Sequence, residues 1–255
     1  MARTILFAAV ASLKGVDDER EAIAQLAEKG TAVVLFGDSD RAEIEPIRER
    51  LGITAPFIVE GGSAIFTPVN SGLFEEPLGE QDGNYYVYEL GCPYVQARAG
   101  LRVLANAISH PLKGFGDFTV GQLERSLKVS EDDAHRAKAR EFSEPFMTPK
   151  SVDLNELKQS AKDIGFDVVL RDSADSRFSL LRGADASLTA AAEAVVAAYE
   201  KQITGADSLK VVGIASQQDE LDCLSEAEGV TDFRGVLVSD AVGGGMTWLD
   251  SVNDL

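Results

Sequence analysis

The stretch TAVVLFGDSDRAEIEPIRERLGITAPFIVEGGSAIFTP, residues 31–68, decides the fold. Its first six residues, Thr31–Phe36, form a short apolar run of the kind that a buried parallel strand shows. Asp40 and Glu43 are spaced as a capping box. They open a helix that Gly52 stops, because glycine accepts the left-handed conformation at a helix end without penalty. Pro56–Glu60 reads as a second short strand. The pair Gly61-Gly62 then turns the chain into Ser63–Thr67. Towards the N-terminus, Thr4–Val10 is another continuous apolar run. Asp17–Lys29 places Ile23 and Leu26 at helical spacing and ends at Gly30. The resulting βαβαβ rhythm predicts an α/β fold with a parallel, doubly wound sheet and right-handed crossovers.

Towards the C-terminus the texture changes. Residues 71–84 are rich in Gly, Glu, Pro and Asn and read as a linker. Tyr85–Leu90 is made of strand formers. Helical spacing follows over Tyr94–Ile108. Thr119 with Gln122 opens a helix to Leu127, and Ser130–Arg140 reads as a charged helix. Pro145–Thr148 reads as extended. Asp153 with Glu156 opens a helix to Ile164. Asp167–Arg171 and Arg177–Leu181 read as strands around a polar turn. This block has the character of an α+β insertion. The α/β pattern resumes with an alanine-rich helix at Ser187–Tyr199 and a strand at Leu209–Ala215. A helix over Asp219–Glu226, with Asp219 as its cap, and a strand at Gly235–Val238 complete it. The expected division is a core of residues 1–82 and 183–255 with a cap of residues 83–182.

The 255 residues suffice to bury a core without disulfides. Lys and Arg number 24 against 42 Asp and Glu, a net charge of −18 that disfavours nucleic acid and anionic membrane as partners. The two cysteines, Cys92 and Cys223, and the two histidines lie far apart, without the spacing of a transition-metal site. No stretch reaches the roughly 18 apolar residues of a membrane span, and the N-terminal run lacks the pattern of a signal peptide, so a cytoplasmic location is expected.

Four segments in order carry a resemblance: residues 41–68 quoted above, GFGDFTVGQL at 114–123, AKAREFSEPF at 137–146 and GGGMTW at 243–248. They closely resemble the mannosyl-3-phosphoglycerate phosphatases of the haloacid dehalogenase superfamily. The resemblance implies a Rossmannoid core with an inserted C2-type cap, Mg²⁺ as cofactor and four catalytic motifs at the C-terminal ends of strands. In such enzymes two aspartates follow the first strand. One attacks phosphorus, the other shuttles a proton, and both help to hold the metal. Here Ala9 and Ala11 stand at those positions. The Ser or Thr that holds a phosphate oxygen after the second strand corresponds to Gly37, followed by Asp38 and Ser39. The charge-neutralising Lys of the third motif corresponds to Leu188. In the fourth motif the first acid corresponds to Ser216 and the Asn-Asp pair to Asp219-Glu220, and only these last two are candidate metal ligands.

Losing a covalent nucleophile alone costs on the order of 10⁴–10⁶ in turnover. The resemblance therefore implies a family member without catalysis and without bound Mg²⁺, with a binding, regulatory or complex-subunit role. The expected partners are a sugar phosphate or sugar acid, or another protein. Arg140, Ser143, Glu144 and Lys113 of the cap are the candidate ligand contacts, with Arg177 as a further anion contact. Phe142 and Phe146 are expected to pack. A second expectation is an active Mg²⁺-dependent phosphatase that recruits Asp38, Asp219 and Glu220. A third is a structural role for the acidic surface.

Overall fold

The computed structural model describes residues 4–13, 17–170, 178–203, 208–238 and 248–253. The first half contains β1 (Thr4–Ala9), α1 (Asp17–Glu28), β2 (Thr31–Phe36), α2 (Arg41–Leu51), β3 (Phe57–Val59) and β4 (Ala64–Pro68). It continues with β5 (Glu80–Asp82) and β6 (Tyr85–Glu89). Then come α3 (Tyr94–Ala107), α4 (Val120–Leu127), α5 (Glu131–Arg136), β7 (Ser143–Met147), α6 (Leu154–Asp163), β8 (Phe166–Val169) and β9 (Phe178–Gly183). The chain closes with α7 (Leu188–Glu200), β10 (Lys210–Ala215), α8 (Gln218–Ser225), β11 (Phe233–Leu237) and α9 (Trp248–Asn253).

Eight strands form the main sheet in the order β11-β10-β1-β2-β3-β4-β6-β5. The pairs from β11 to β3 are parallel, and those from β3 to β5 antiparallel. β1 lies in the middle of the parallel part, which explains its unbroken apolar run. Ile5, Leu6, Phe7 and Ala8 are fully buried. Burying a large apolar side chain contributes about 1.5–3 kcal/mol, so this run anchors the sheet. α1 packs beside α2 and α9, and α7 beside α8. The capping boxes at Asp40/Glu43 and Thr119/Gln122 form as expected, and the Asp153 carboxylate accepts the amides of Asn155 and Glu156.

The segment expected to form the cap holds a separate three-stranded antiparallel sheet, β7-β9-β8, among the described residues. Leu101 and Leu104 of α3 and Leu157 of α6 pack against Phe146, Val168 and Leu181 of that sheet. Phe146 therefore packs as expected. Among the described residues no helix is long and apolar enough to cross a membrane.

Four details differ from the sequence reading. The segment read as linker contains β5, whose three residues are polar and exposed. It pairs with β6 across the two-residue turn Gly83-Asn84, with Gly83 at φ 56. β6 pairs with β4 in the main sheet, so by strand pairing the core continues to Glu89 beyond the expected boundary at residue 82. The charged helix stops at Arg136, because residues 140–143 turn away to join the core. Gln217 caps α8, and Asp219 sits inside its first turn.

Candidate active-site cleft

The ends of β1 and β2, the turn after β3 and the N-termini of α7 and α8 converge at one end of the core sheet. Open α/β sheets place their ligand crevices at this end, where successive strands deliver loops side by side. A cleft of about 230 Å³ opens there beneath the cap. Gly37, Asp38, Gly61, Gly62, Ser187, Leu188, Asp219 and Glu220 line it from the core. Lys158, Asp167 and Arg182 line it from the cap.

Ala9 ends β1 opposite Phe36 of β2 and is 1% exposed. Ala11 lies in the short helical turn Val10–Ser12 that follows and is exposed. The Ser12 hydroxyl donates to the Ala9 carbonyl at 2.6 Å, which closes that turn. Gly37 faces it: a Cβ built there would lie 3.7 Å from Val10 Cβ, an ordinary contact. Serine would therefore fit at this position. The loops after β1 and β2 thus meet, and Ala9, Ala11 and Gly37 bring no side-chain oxygen to the junction.

Gly62 requires the absence of a side chain. Its φ is +91, and a Cβ would lie 2.3 Å from the Ser187 carbonyl group. This close approach seats the α7 N-terminus on the floor of the cleft. Ser187 caps α7 by accepting the Ala190 amide at 3.0 Å, and Leu188 is the first helical residue. The cations of the cleft come from the cap. Arg182, at the end of β9, donates to the Gly61 carbonyl and, through Nη2 at 2.8 Å, to Asp167. Periodicity analysis missed Arg182 and Lys158. The available signal was the charge of Arg182 at the end of the otherwise apolar run FSLL.

The four cap candidates do not line the cleft. Arg140 is buried and donates to the Asp38 carbonyl. Its Nε lies 3.6 Å from the Asp40 carboxylate and its Nη2 3.9 Å from Glu43. Ser143 donates its hydroxyl to Glu60. Glu144 is fully buried and accepts from Arg98 at 2.9 Å and from the Gly116 amide at 3.0 Å. Lys113 Nζ sits 3.8 Å from the centre of the Phe118 ring, a cation–π contact. Arg177 and residues 243–247 of the glycine-rich stretch lie outside the described residues. Phe142 joins the main core, packing against Phe66 with ring centres 6.2 Å apart.

Sequence reasoning also missed the joint that these residues build. Glu60 is fully buried at φ 51 and accepts the amides of Glu141 and Phe142 at 2.9 and 3.1 Å. Arg41 holds Glu141 with two hydrogen bonds at 2.9 and 3.2 Å. Burial raises the pKa of Asp40 to about 7, against the lowering pull of Arg140. Burial also pushes the Cys92 thiol up, opposite to what a thiolate nucleophile requires.

No protein-family profile matches the chain. A glucosyl-3-phosphoglycerate/mannosyl-3-phosphoglycerate phosphatase of Persephonella marina is 28% identical over 211 residues, covering 83% of this chain and 75% of that one. A mannosyl-3-phosphoglycerate phosphatase of Pyrococcus furiosus is 38% identical over 122 residues, about half of each chain. Among solved structures, a sugar phosphatase of haloacid dehalogenase subclass IIB superposes with a TM-score of 0.56 at 12% identity, covering 98% of this chain and 90% of that one. The sucrose-phosphatase of Synechocystis superposes with a TM-score of 0.54 at 10% identity, covering 95% and 85%.

In sequence the chain is similar to mannosyl-3-phosphoglycerate phosphatases, and in fold to sugar phosphatases of the haloacid dehalogenase class. The fold is haloacid dehalogenase-like. A divalent cation such as Mg²⁺ requires several oxygen ligands converging on one point. Among the described residues no group of three or more His, Cys, Asp or Glu does so. In the cleft, Asp167 is bound by Arg182, Glu220 accepts the Gln217 amide at 3.3 Å and Asp219 accepts the Glu220 amide at 3.1 Å. These residues do not fit a Mg²⁺ site, and no catalytic step through a metal follows from them.

Proposed function

We propose that this chain is a catalytically silent member of its family that binds a sugar phosphate or sugar acid in the cleft and acts through that binding, as a regulator or as a subunit of a complex. The observation that carries the reading is at the end of β1. The position that the resemblance aligns with the nucleophile is Ala9, a buried methyl group, and the one it aligns with the second carboxylate is Ala11. A methyl group cannot attack phosphorus, exchange a proton or bind a cation. Leu188 at the third-motif position adds no charge to neutralise a phosphate. The relatives' names, which specify phosphatases of mannosyl- and glucosyl-3-phosphoglycerate, support the ligand class.

A second reading has the cleft active through substitute acids. It is favoured by the presence of Asp38, Asp219 and Glu220 in the lining of that one cleft. Calorimetric titration with mannosyl-3-phosphoglycerate, combined with an assay for released phosphate, separates the two. The proposal expects saturable binding without release. Mg²⁺-dependent release that EDTA abolishes would establish the second reading. Absence of binding to this and related sugar phosphates and sugar acids would remove the first.

A further inference from the structure

The turn Glu60–Gly62 touches the cleft and the cap at once. On the cleft side, the Glu60 amide donates to the Ser39 carbonyl at 3.0 Å and the Gly61 amide donates to the Gly37 carbonyl at 2.9 Å. These two bonds hold the loop that follows β2. On the cap side, the Glu60 carboxylate accepts from the Glu141 amide, the Phe142 amide and the Ser143 hydroxyl. The segment it grips lies against both connections between cap and core. The Tyr94 amide, just after the first connection, donates to the Glu141 carbonyl at 2.7 Å. Ser143 pairs with Arg182, next to the second. Gly183 of that second connection would bring a Cβ to 3.0 Å from the Cys92 amide of the first.

A non-glycine residue at positive φ is uncommon and persists only where the surroundings hold it. At Glu60 the surroundings are identifiable. The left-handed backbone directs two amides to the loop after β2, while the side chain reaches three donors of the cap. A carboxylate that accepts several donors in a dry site binds each more strongly than a neutral acceptor would.

We infer that Glu60 is a positioning residue that couples the cap to the cleft: its carboxylate holds the cap segment 141–143, its backbone holds the loop 37–39, and a displacement of either is passed to the other. This role stands whether the cleft catalyses or only binds.

Hydrogen–deuterium exchange of the full chain tests the coupling, with protection factors corrected for intrinsic rates. In Glu60→Gln the amide group keeps the size of the side chain but cannot accept all three donors. The amides of Glu141 and Phe142 should lose protection about tenfold or more. The Gly61 amide, bonded to Gly37, should lose protection with them, while the amides of β1 and β2 keep theirs. Ser143→Ala removes one of the three donors and should loosen the same two groups together, by about threefold. It serves as the test if Glu60→Gln does not fold. Arg41→Gln breaks the half-exposed ion pair with Glu141 and should leave the Gly61 amide within about twofold of the parent. Loss of protection in the cap amides alone, in Glu60→Gln or Ser143→Ala, would overturn the inference. So would an Arg41→Gln effect on Gly61 equal to that of Glu60→Gln.

Discussion

The floor of the cleft and the joint behind it are neighbours in space and opposites in chemistry. At the floor and the end of β1 beside it, Gly37 and Leu188, with Ala9 and Ala11, occupy the positions where the family resemblance expects a hydroxyl, an ammonium group and carboxylates. At the joint, Arg140, Asp40, Glu60 and Ser143 are buried or nearly so, and they are interlocked by hydrogen bonds and charge pairs. Buried polar groups thus hold the joint, while the positions that the resemblance assigns to phosphorus chemistry at Ala9, Ala11, Gly37 and Leu188 carry no polar side chain. A motif match alone does not separate these roles. The segment AKAREFSEPF resembles the family as strongly as any other, yet its polar residues serve the joint and the cap interior rather than the cleft.

The contrast can be broken by substitution. The largest effect is expected at Glu60→Ala, which leaves two amides and a hydroxyl buried without their acceptor. It should cost about 3–5 kcal/mol in urea unfolding. Gly62→Ala should follow at about 2–4 kcal/mol, because its Cβ would collide with the Ser187 backbone at a φ that alanine resists. Gly37→Ser, in the floor itself, should change stability by less than about 0.5 kcal/mol, since its new Cβ meets only an ordinary contact. A cost at Gly37 as large as that at Glu60 would contradict the division between them.

Asp40 sharpens the comparison through pH. Its folded pKa, raised to about 7 chiefly by burial, lies above the ordinary value of 3.8. The folded state therefore retains a proton that the unfolded chain has already lost. The stability from this group is fully present below about pH 4 and is lost as pH rises to about 7. Asp40→Asn keeps an oxygen to cap α2 but cannot ionise. At pH 8 it should be more stable than the parent by about 1–3 kcal/mol, and at pH 4 the two should be nearly equal. Thermal unfolding at the two pH values checks the sign.

Most of the fold was legible because its determinants are local. Residues 31–68 hold two apolar runs, a capping box and a glycine stop, and each predicts its own element. The strand β5 was not legible, since Glu80, Gln81 and Asp82 form an exposed edge held by backbone pairing rather than by buried side chains. The cleft was legible only on its core side, where motif positions follow predicted strands. Lys158, Asp167 and Arg182 reach it through the packing of the cap, which no spacing in the sequence encodes. Glu60 was hidden for another reason: it reads as the last residue of a short strand before two glycines, and its partners lie more than eighty positions away.

The central claim is that a chain with methyl groups at Ala9 and Ala11, at the end of β1, performs no phosphoryl chemistry. Phosphate release from mannosyl-3-phosphoglycerate, with the chain in excess over substrate and with Mg²⁺ or EDTA present, tests it most directly. The account predicts release at the blank rate in both conditions. It predicts the same for the double variant Ala9→Asp/Ala11→Asp, because Gly37, Leu188 and Ser216 remain without the groups the chemistry requires. Mg²⁺-dependent release by the parent chain would contradict the claim and return the acids of the cleft to a catalytic role.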